Sequence, residues 1–318
     1  MAPRPDEDPF GMPARRGPLR AIKTRRRGDL VTTRSGAVIH VETHGQRDAP
    51  PVILIHGASG STYDMTFRLA PALAQEFCVY VVDRPGFGHS PRIKDESLAA
   101  QARVLREAIE TLDSRPAIVL GQSYGGAVAL EWALQSDDLA ALVLVSSPSH
   151  DWETGHPLLH RTLAEPVIGW WASELINALV TPGIIAKQLA EVFAPQDVPE
   201  GYADHFQPRN SIYPPRHRQN ARQRIALKAE MAAMVPRYAG LTLPIESLHG
   251  TADVIVPDHI HALPFDAKVA SNVLTRLDGI GHMPHHVATE AVVEAVRRAR
   301  SRAKSRATSC SGAHCNPG

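Results

Sequence analysis

The chain has 318 residues, a formal net charge of +1 and 43% hydrophobic residues. That length suits one large domain with an insertion as well as two domains, and the apolar share excludes wholesale disorder. No apolar stretch reaches the roughly 18 residues that a bilayer-spanning helix needs.

The near-zero charge is a cancellation. Residues 1–30 and 297–318 together carry +10, and the remainder carries −9. Residues 1–28 are rich in Pro, Gly and Arg. They cannot bury enough apolar surface to offset the entropy of ordering, so a disordered basic segment is predicted. No apolar run follows its arginines, so no secretory signal is expected.

Leu30–Thr33 and Ala37–Thr43 flank a Ser35-Gly36 turn and predict a hairpin. Six short apolar runs then follow: Val52–Ile55, Cys78–Val82, Ala117–Leu120, Leu139–Val145, Ile245–Leu248 and Val273–Leu277. Unbroken runs of this length are the pattern of strands buried on both faces. Amphipathic segments at Tyr63–Gln75, Ser97–Leu112, Gly125–Gln135 and Ala288–Arg300 separate several of them. The alternation predicts an α/β fold, a mostly parallel sheet with helices on both faces.

Residues 149–240 hold no such run. Roughly 90 residues are too many for a loop, so an inserted helical cap is predicted. The core is then 29–148 and 241–300, and 301–318 is expected to be a disordered basic tail. Cys78 reads as a buried core thiol, while Cys310 and Cys315 fall in the polar tail. Three such cysteines make no disulfide framework, and a cytoplasmic protein is expected.

The sharpest chemical signal is Gly121-Gln122-Ser123-Tyr124-Gly125-Gly126, between the third apolar run and a helical segment. A serine in a tight strand-to-helix turn is held in a strained conformation with its hydroxyl clear of the chain. The residues two before and two after must be tiny, and both are glycine. The helix start behind the serine favours developing negative charge.

Other motifs agree in order. His56-Gly57-Ala58-Ser59-Gly60 follows the first run and Asp83–Ser90 the second. His249–Pro257 follows the fifth, and Gly279-Ile280-Gly281-His282-Met283-Pro284 follows the sixth. Over roughly residues 30–300 this set resembles the α/β-hydrolase superfamily, which uses the order Ser, Asp, His. The resemblance implies an α/β-hydrolase fold with a helical cap. It implies Ser123 as nucleophile, His282 as base, Asp253 as the acid that orients His282, and the backbone N–H groups of Ala58 and Tyr124 as an oxyanion hole. Serine rather than aspartate at 123 disfavours epoxide opening and halide displacement. Carboxylic-ester hydrolysis through an acyl-enzyme is the expected activity. Carbon–carbon bond hydrolysis, thioester hydrolysis, acyl transfer and a non-catalytic ligand-binding role remain open.

Several rivals compete for these roles. His285 and His286 lie within a turn of His282 but are expected to be solvated or substrate-facing. Asp258, past Pro257, reads as a helix-dipole partner, and Asp151 as a rival acid after the fourth strand. His56 and Asp83 are expected to brace their loops. The cluster His282, His285, His286 has no carboxylate at a fitting helical spacing and contains Pro284, so no metal is expected. No nucleotide loop is present and no cofactor is implied. Trp170 and Trp171 are candidates to line an acyl pocket. Arg209, Arg216, Arg218, Arg222 and Arg224 read as a solvated basic face of the cap. The expected partner is a small ester or acyl substrate, with no specific nucleic acid and no membrane span. Both charged ends are expected to be dispensable for catalysis.

Overall fold

The computed structural model describes residues 26–153, 155 and 157–312. Most of the basic segment expected at 1–28 therefore lies outside the described residues, as does Cys315.

Eight strands form one sheet: β1 (Asp29–Thr32), β2 (Val38–His44), β3 (Pro51–Ile55), β4 (Cys78–Val82), β5 (Ile118–Gln122), β6 (Ala141–Val145), β7 (Ile245–Gly250) and β8 (Asn272–Leu277). Their order is β1-β2-β4-β3-β5-β6-β7-β8. The first two pairings are antiparallel and the rest parallel. β3, β4, β5 and β6 are buried along their whole length. Alternation divides each between two cores. Ile53, Ile55, Tyr80, Val82 and Val119 face one side, and Val52, Leu54, Val79, Val81 and Leu120 the other. Each such buried aliphatic side chain contributes about 1.5–3 kcal/mol.

The first core is closed by α3 (Leu98–Leu112) and α4 (Tyr124–Gln135), and the second by α2 (Leu69–Leu73) and α12 (Thr289–Gly312). The helix expected over 63–75 is two short pieces, α1 (Thr62–Thr66) and α2. Pro71 cannot donate to the carbonyl four residues back, and the chain breaks at Arg68 ahead of it.

Between β6 and β7 the chain forms only helices: α5 (Leu158–Ala164), α6 (Ile168–Leu179), α7 (Pro182–Phe193), α8 (Tyr202–Phe206) and α9 (Pro214–Met234), with short 3-10 turns after α8 and α9. The remaining pieces are α10 (Ala262–Lys268) and α11 (Pro284–Val287). Among the described residues no single helix is long and apolar enough to cross a membrane, though the sharply bent pair α6–α7 reaches that length and composition together.

The boundary expected at residue 300 is corrected, because α12 continues through it to Gly312. The cause is electrostatic. Glu246 on β7 is fully buried, and Arg298 and Arg302 each bond one of its oxygens, at 2.9 and 2.8 Å. Arg302 also donates to the carbonyls of Ile245 and Ser271. A buried carboxylate needs that compensation, so the helix is held past the expected end of the core.

The solvated reading of the cap arginines is corrected for a related reason. Arg218 is buried and donates to the carbonyl of Pro166, and Arg216 to that of Gly88. Arg222 pairs with Glu96 beside α3. They fasten the helices between β6 and β7 to one another, to the loop after β4 and to Glu96.

Candidate active site

β3 and β5 are neighbours whose following connections run to opposite sides of the sheet, and the crevice at their carboxyl ends is where open α/β sheets place ligands. The loop His56–Gly60 leaves β3 there, and the turn at Ser123 leaves β5.

Ser123 has φ 51° and ψ −123°. A non-glycine residue in such a conformation costs about 1–3 kcal/mol and must be held by its surroundings. Its N–H donates to the Val145 carbonyl at 2.9 Å, and its carbonyl accepts from the Gly126 N–H at 2.8 Å. A Cβ on Gly121 would stand 2.2 Å from the Gly125 carbonyl oxygen, and one on Gly125 2.2 Å from that of Ile55. Only glycine fits either place, so the turn dictates its own flanking residues.

Three side chains meet in a line. His282 Nε2 lies 3.0 Å from Ser123 Oγ, and His282 Nδ1 lies 2.8 Å from Asp253 Oδ2. Asp253 is ionised, so the proton sits on Nδ1 and the Nε2 lone pair faces the serine hydroxyl. The other oxygen of Asp253 accepts the N–H groups of Ile255 and Val256, both at 2.9 Å. Burial alone would raise this carboxyl, but hydrogen bonds from His249 and His282 outweigh it and hold it far below the usual range. His249 carries no signal in the sequence beyond its place in the loop. Its Nε2 stands 3.5 Å from Asp253 and bonds the Val256 carbonyl at 2.6 Å.

The loop after β3 crosses directly over the serine: a Cβ on Gly57 would lie 3.2 Å from Ser123 Cβ. Ala58 is the next residue. Tyr124 is the first residue of α4, so its N–H has no acceptor inside the helix. The helical segment between β6 and β7 also holds this loop. Asn220 accepts the Ser59 N–H at 3.1 Å, and the Ser211 hydroxyl donates to the Ser59 carbonyl at 2.5 Å.

From below, the loop rests on Arg84, whose side chain has no solvent exposure. Its guanidinium donates to the carbonyls of His56 at 3.1 Å and Gly57 at 3.0 Å, and to Gln101 and Gln223. It lies over the rings of Phe87 and Tyr124. Burial pushes its pKa down to about 10, against the pull of Tyr124 and Asp83. Sequence reading singles out Asp83 in this stretch and passes over Arg84, because a charge after a buried strand looks like surface.

His56 and Asp83 sit as loop braces. His56 Nδ1 donates to the Gly57 carbonyl, and its Nε2 accepts the Arg84 N–H. Asp83 accepts the N–H groups of Thr62 and His89 and pairs with His40.

Burial, and then nearby Arg84, lowers the His56 pKa to about 4; burial, and then His249, does the same to His261. Both are neutral in the fold but take up a proton in the unfolded chain as pH falls below about 6.5. Their contribution is complete above that pH and lost as pH falls toward 4, each at about 1.4 kcal/mol per pH unit. His40 works the other way: the Asp83 carboxylate overcomes burial and raises its pKa, so its contribution is fullest at low pH. Burial lowers His89, His150, His205 and His217 as well, so the lowered histidines outweigh His40. Urea unfolding midpoints should fall between pH 7 and pH 5, and a midpoint constant across that range would contradict the assignment.

The rivals are placed elsewhere. Asp258 pairs with Arg276 on β8 at 2.7 Å, and Asp151 is exposed. The expectation that His285 and His286 are solvated or substrate-facing is corrected: both are fully buried against Asp64. The candidate pocket tryptophans both lie on α6. Trp171 is 62% exposed, and Trp170 packs edge-on against it at 4.7 Å. Leu158 and Ile168 are likewise turned outward on the cap.

The profile of the alpha/beta hydrolase fold family matches residues 50–289. The chain belongs to that family. An uncharacterized protein of Mycobacterium tuberculosis is 28% identical over 262 residues, 76% of this chain and 75% of its own. The magnesium-chelatase 30 kDa subunit of Rhodobacter capsulatus is 27% identical over 293 residues, 90% of this chain and 96% of its own. A pimeloyl-[acyl-carrier protein] methyl ester esterase of Methylococcus capsulatus is 36% identical over 142 residues, 44% of this chain and 48% of its own. Among solved structures, a thermophilic esterase from Thermogutta terrifontis shares the hydrolase fold with a TM-score of 0.64 and 22% identity, covering 86% of this chain and 98% of its own. The enol-lactonase from Burkholderia xenovorans does so with a TM-score of 0.68 and 18% identity, covering 86% and 100%.

Proposed function

We propose that this hydrolase cleaves carboxylic esters through an acyl-enzyme on Ser123. The observation that carries the proposal is the unbroken line from Ser123 through His282 to Asp253, at 3.0 and 2.8 Å.

A serine hydroxyl is a weak nucleophile until a base takes its proton. His282 Nε2 accepts that proton as Ser123 Oγ attacks the ester carbonyl, and Asp253 stabilises the imidazolium. The N–H groups of Ala58 and Tyr124 receive the negative charge that develops on the carbonyl oxygen. His282 then gives the proton to the departing alcohol, leaving the acyl group on Ser123. Water, deprotonated by His282, releases the acid. Esters are the first choice of substrate because an alcohol leaves more easily than an amine or a carbanion. The partial match to an ester esterase supports this direction.

A second reading draws on the chelatase subunit, a match over nearly all of both chains whose name is not that of a hydrolase. It makes the protein a ligand-binding member on the same scaffold. One experiment separates the two. A fluorophosphonate probe should label the wild-type chain at Ser123, and Ser123→Ala should abolish both labelling and turnover of short p-nitrophenyl esters, a loss of about 10⁴–10⁶ in rate. A folded wild-type chain that resists the probe and turns over no ester or thioester would support the second reading and overturn the first.

A further inference from the structure

A second cluster of ionisable side chains lies apart from the serine line. Asp64 comes from α1, and His285 and His286 from α11. All three are buried, the two histidines completely. His286 Nε2 lies 2.9 Å from Asp64 Oδ1, and His285 Nε2 lies 3.6 Å from Asp64 Oδ2. One ligating atom from each falls within 4.8 Å of the others. Among the described residues both ring nitrogens of His285 are without a hydrogen-bond partner, as is Nδ1 of His286. An orphaned polar atom in such a place costs about 1–3 kcal/mol, and each one in a folded protein calls for an explanation.

We propose that Asp64, His285 and His286 bind a divalent first-row cation, zinc by preference, as three protein ligands with the fourth position left to a water. Ligands held at about 2.0–2.1 Å in a tetrahedron stand roughly 3.3 Å apart. The two carboxylate-to-imidazole separations, 2.9 and 3.6 Å, bracket that spacing. The donor set of two imidazoles and one carboxylate suits zinc. Tyr202, on cap helix α8, donates its hydroxyl to Asp64 Oδ1 at 2.8 Å and orients the carboxylate, as outer partners of metal ligands do. Phe67 and Phe193 pack against His286 and fix its ring.

The expectation of no metal did not weigh this cluster, for one reason. It sought a carboxylate near the histidines in sequence, and the fold supplies one 222 residues from His286. A cation there would tie together the piece after β3, the segment that follows His282, and the cap.

The test uses the full-length untagged chain, stripped with a chelator. Calorimetric titration should show one Zn²⁺ per chain and a raised Tm. Co²⁺ in its place should give the strong visible d–d bands of a four-coordinate site. Ser123→Ala should bind equally well, which separates this site from the hydrolytic one. Asp64→Asn and His285→Gln should each weaken Zn²⁺ binding beyond the roughly 10–100-fold that loss of an outer partner costs. His285 has no hydrogen bond to lose, so its variant keeps the test open should Asp64→Asn not fold. A stripped wild-type chain that takes up no stoichiometric Zn²⁺, or a folded variant that binds as tightly as wild type, overturns the proposal.

Discussion

An Asp253→Asn chain should fold and still bind ester substrates, yet lose about 10⁴ in kcat with little change in KM. The argument rests on which way the amide must point. Two backbone N–H groups, of Ile255 and Val256, both bond one oxygen of Asp253. In the variant they demand the amide oxygen. The NH₂ group is then turned toward His282 Nδ1, where the carboxylate oxygen of the native chain stands at 2.8 Å. A donor there forces the imidazole proton onto Nε2. That nitrogen then donates to Ser123 instead of accepting from it, and the base is lost while the shape is kept. Steady-state kinetics on a short p-nitrophenyl ester would check the split between kcat and KM. A loss of less than tenfold in kcat would remove Asp253 from the proposed mechanism.

Arg84→Met should be damaging in a different way. The side chain serves four buried acceptors, the carbonyls of His56 and Gly57 and the amide oxygens of Gln101 and Gln223. An acceptor left unpaired in the interior costs about 1–3 kcal/mol, so even two of them destabilise the fold by about 2–6 kcal/mol. The loop they belong to carries Ala58. Displacing one oxyanion donor costs about 10²–10³ in kcat. Arg84→Lys separates the two effects. A single ammonium cannot match the planar fork that reaches both loop carbonyls, so it should recover part of the stability and little of the rate. Urea unfolding and kcat measured on the same preparations give both numbers. Native kcat in Arg84→Lys would show that the loop needs a positive charge and not this geometry.

These two residues also mark how far the sequence could be read. The strands were legible because their residues are buried on both faces, and a run such as Cys78–Val82 has no other use for five apolar residues. Ser123, Asp253 and His282 were legible because each stands in a short motif at the end of a recognisable strand. Arg84, Asp64 and Glu246 were not. Hydropathy assigns a charged residue to the surface, and each of these is buried with partners distant in the chain. Glu246 finds Arg298 and Arg302 at separations of 52 and 56 residues. The same bias misread the cap arginines as solvated. For Trp170 and Trp171, aromatic character suggests a pocket wall, and the fold leaves Trp171 exposed with Trp170 packed against it.

The continuation of α12 past residue 300 bears on the order in which the molecule is made. Domains form as the chain emerges from its amino end, at about 5–20 residues per second. Glu246 emerges with β7, well before Arg298 and Arg302 exist to neutralise it. Until then β7 has a carboxylate on the face that α12 will cover, and burying it alone is unfavourable. The β7–β8 end of the sheet, which supports the loops of Asp253 and His282, is neutralised only by residues of the final helix. The strand that leads into the Asp253 loop thus depends on charge partners that emerge after every other strand and loop of the sheet.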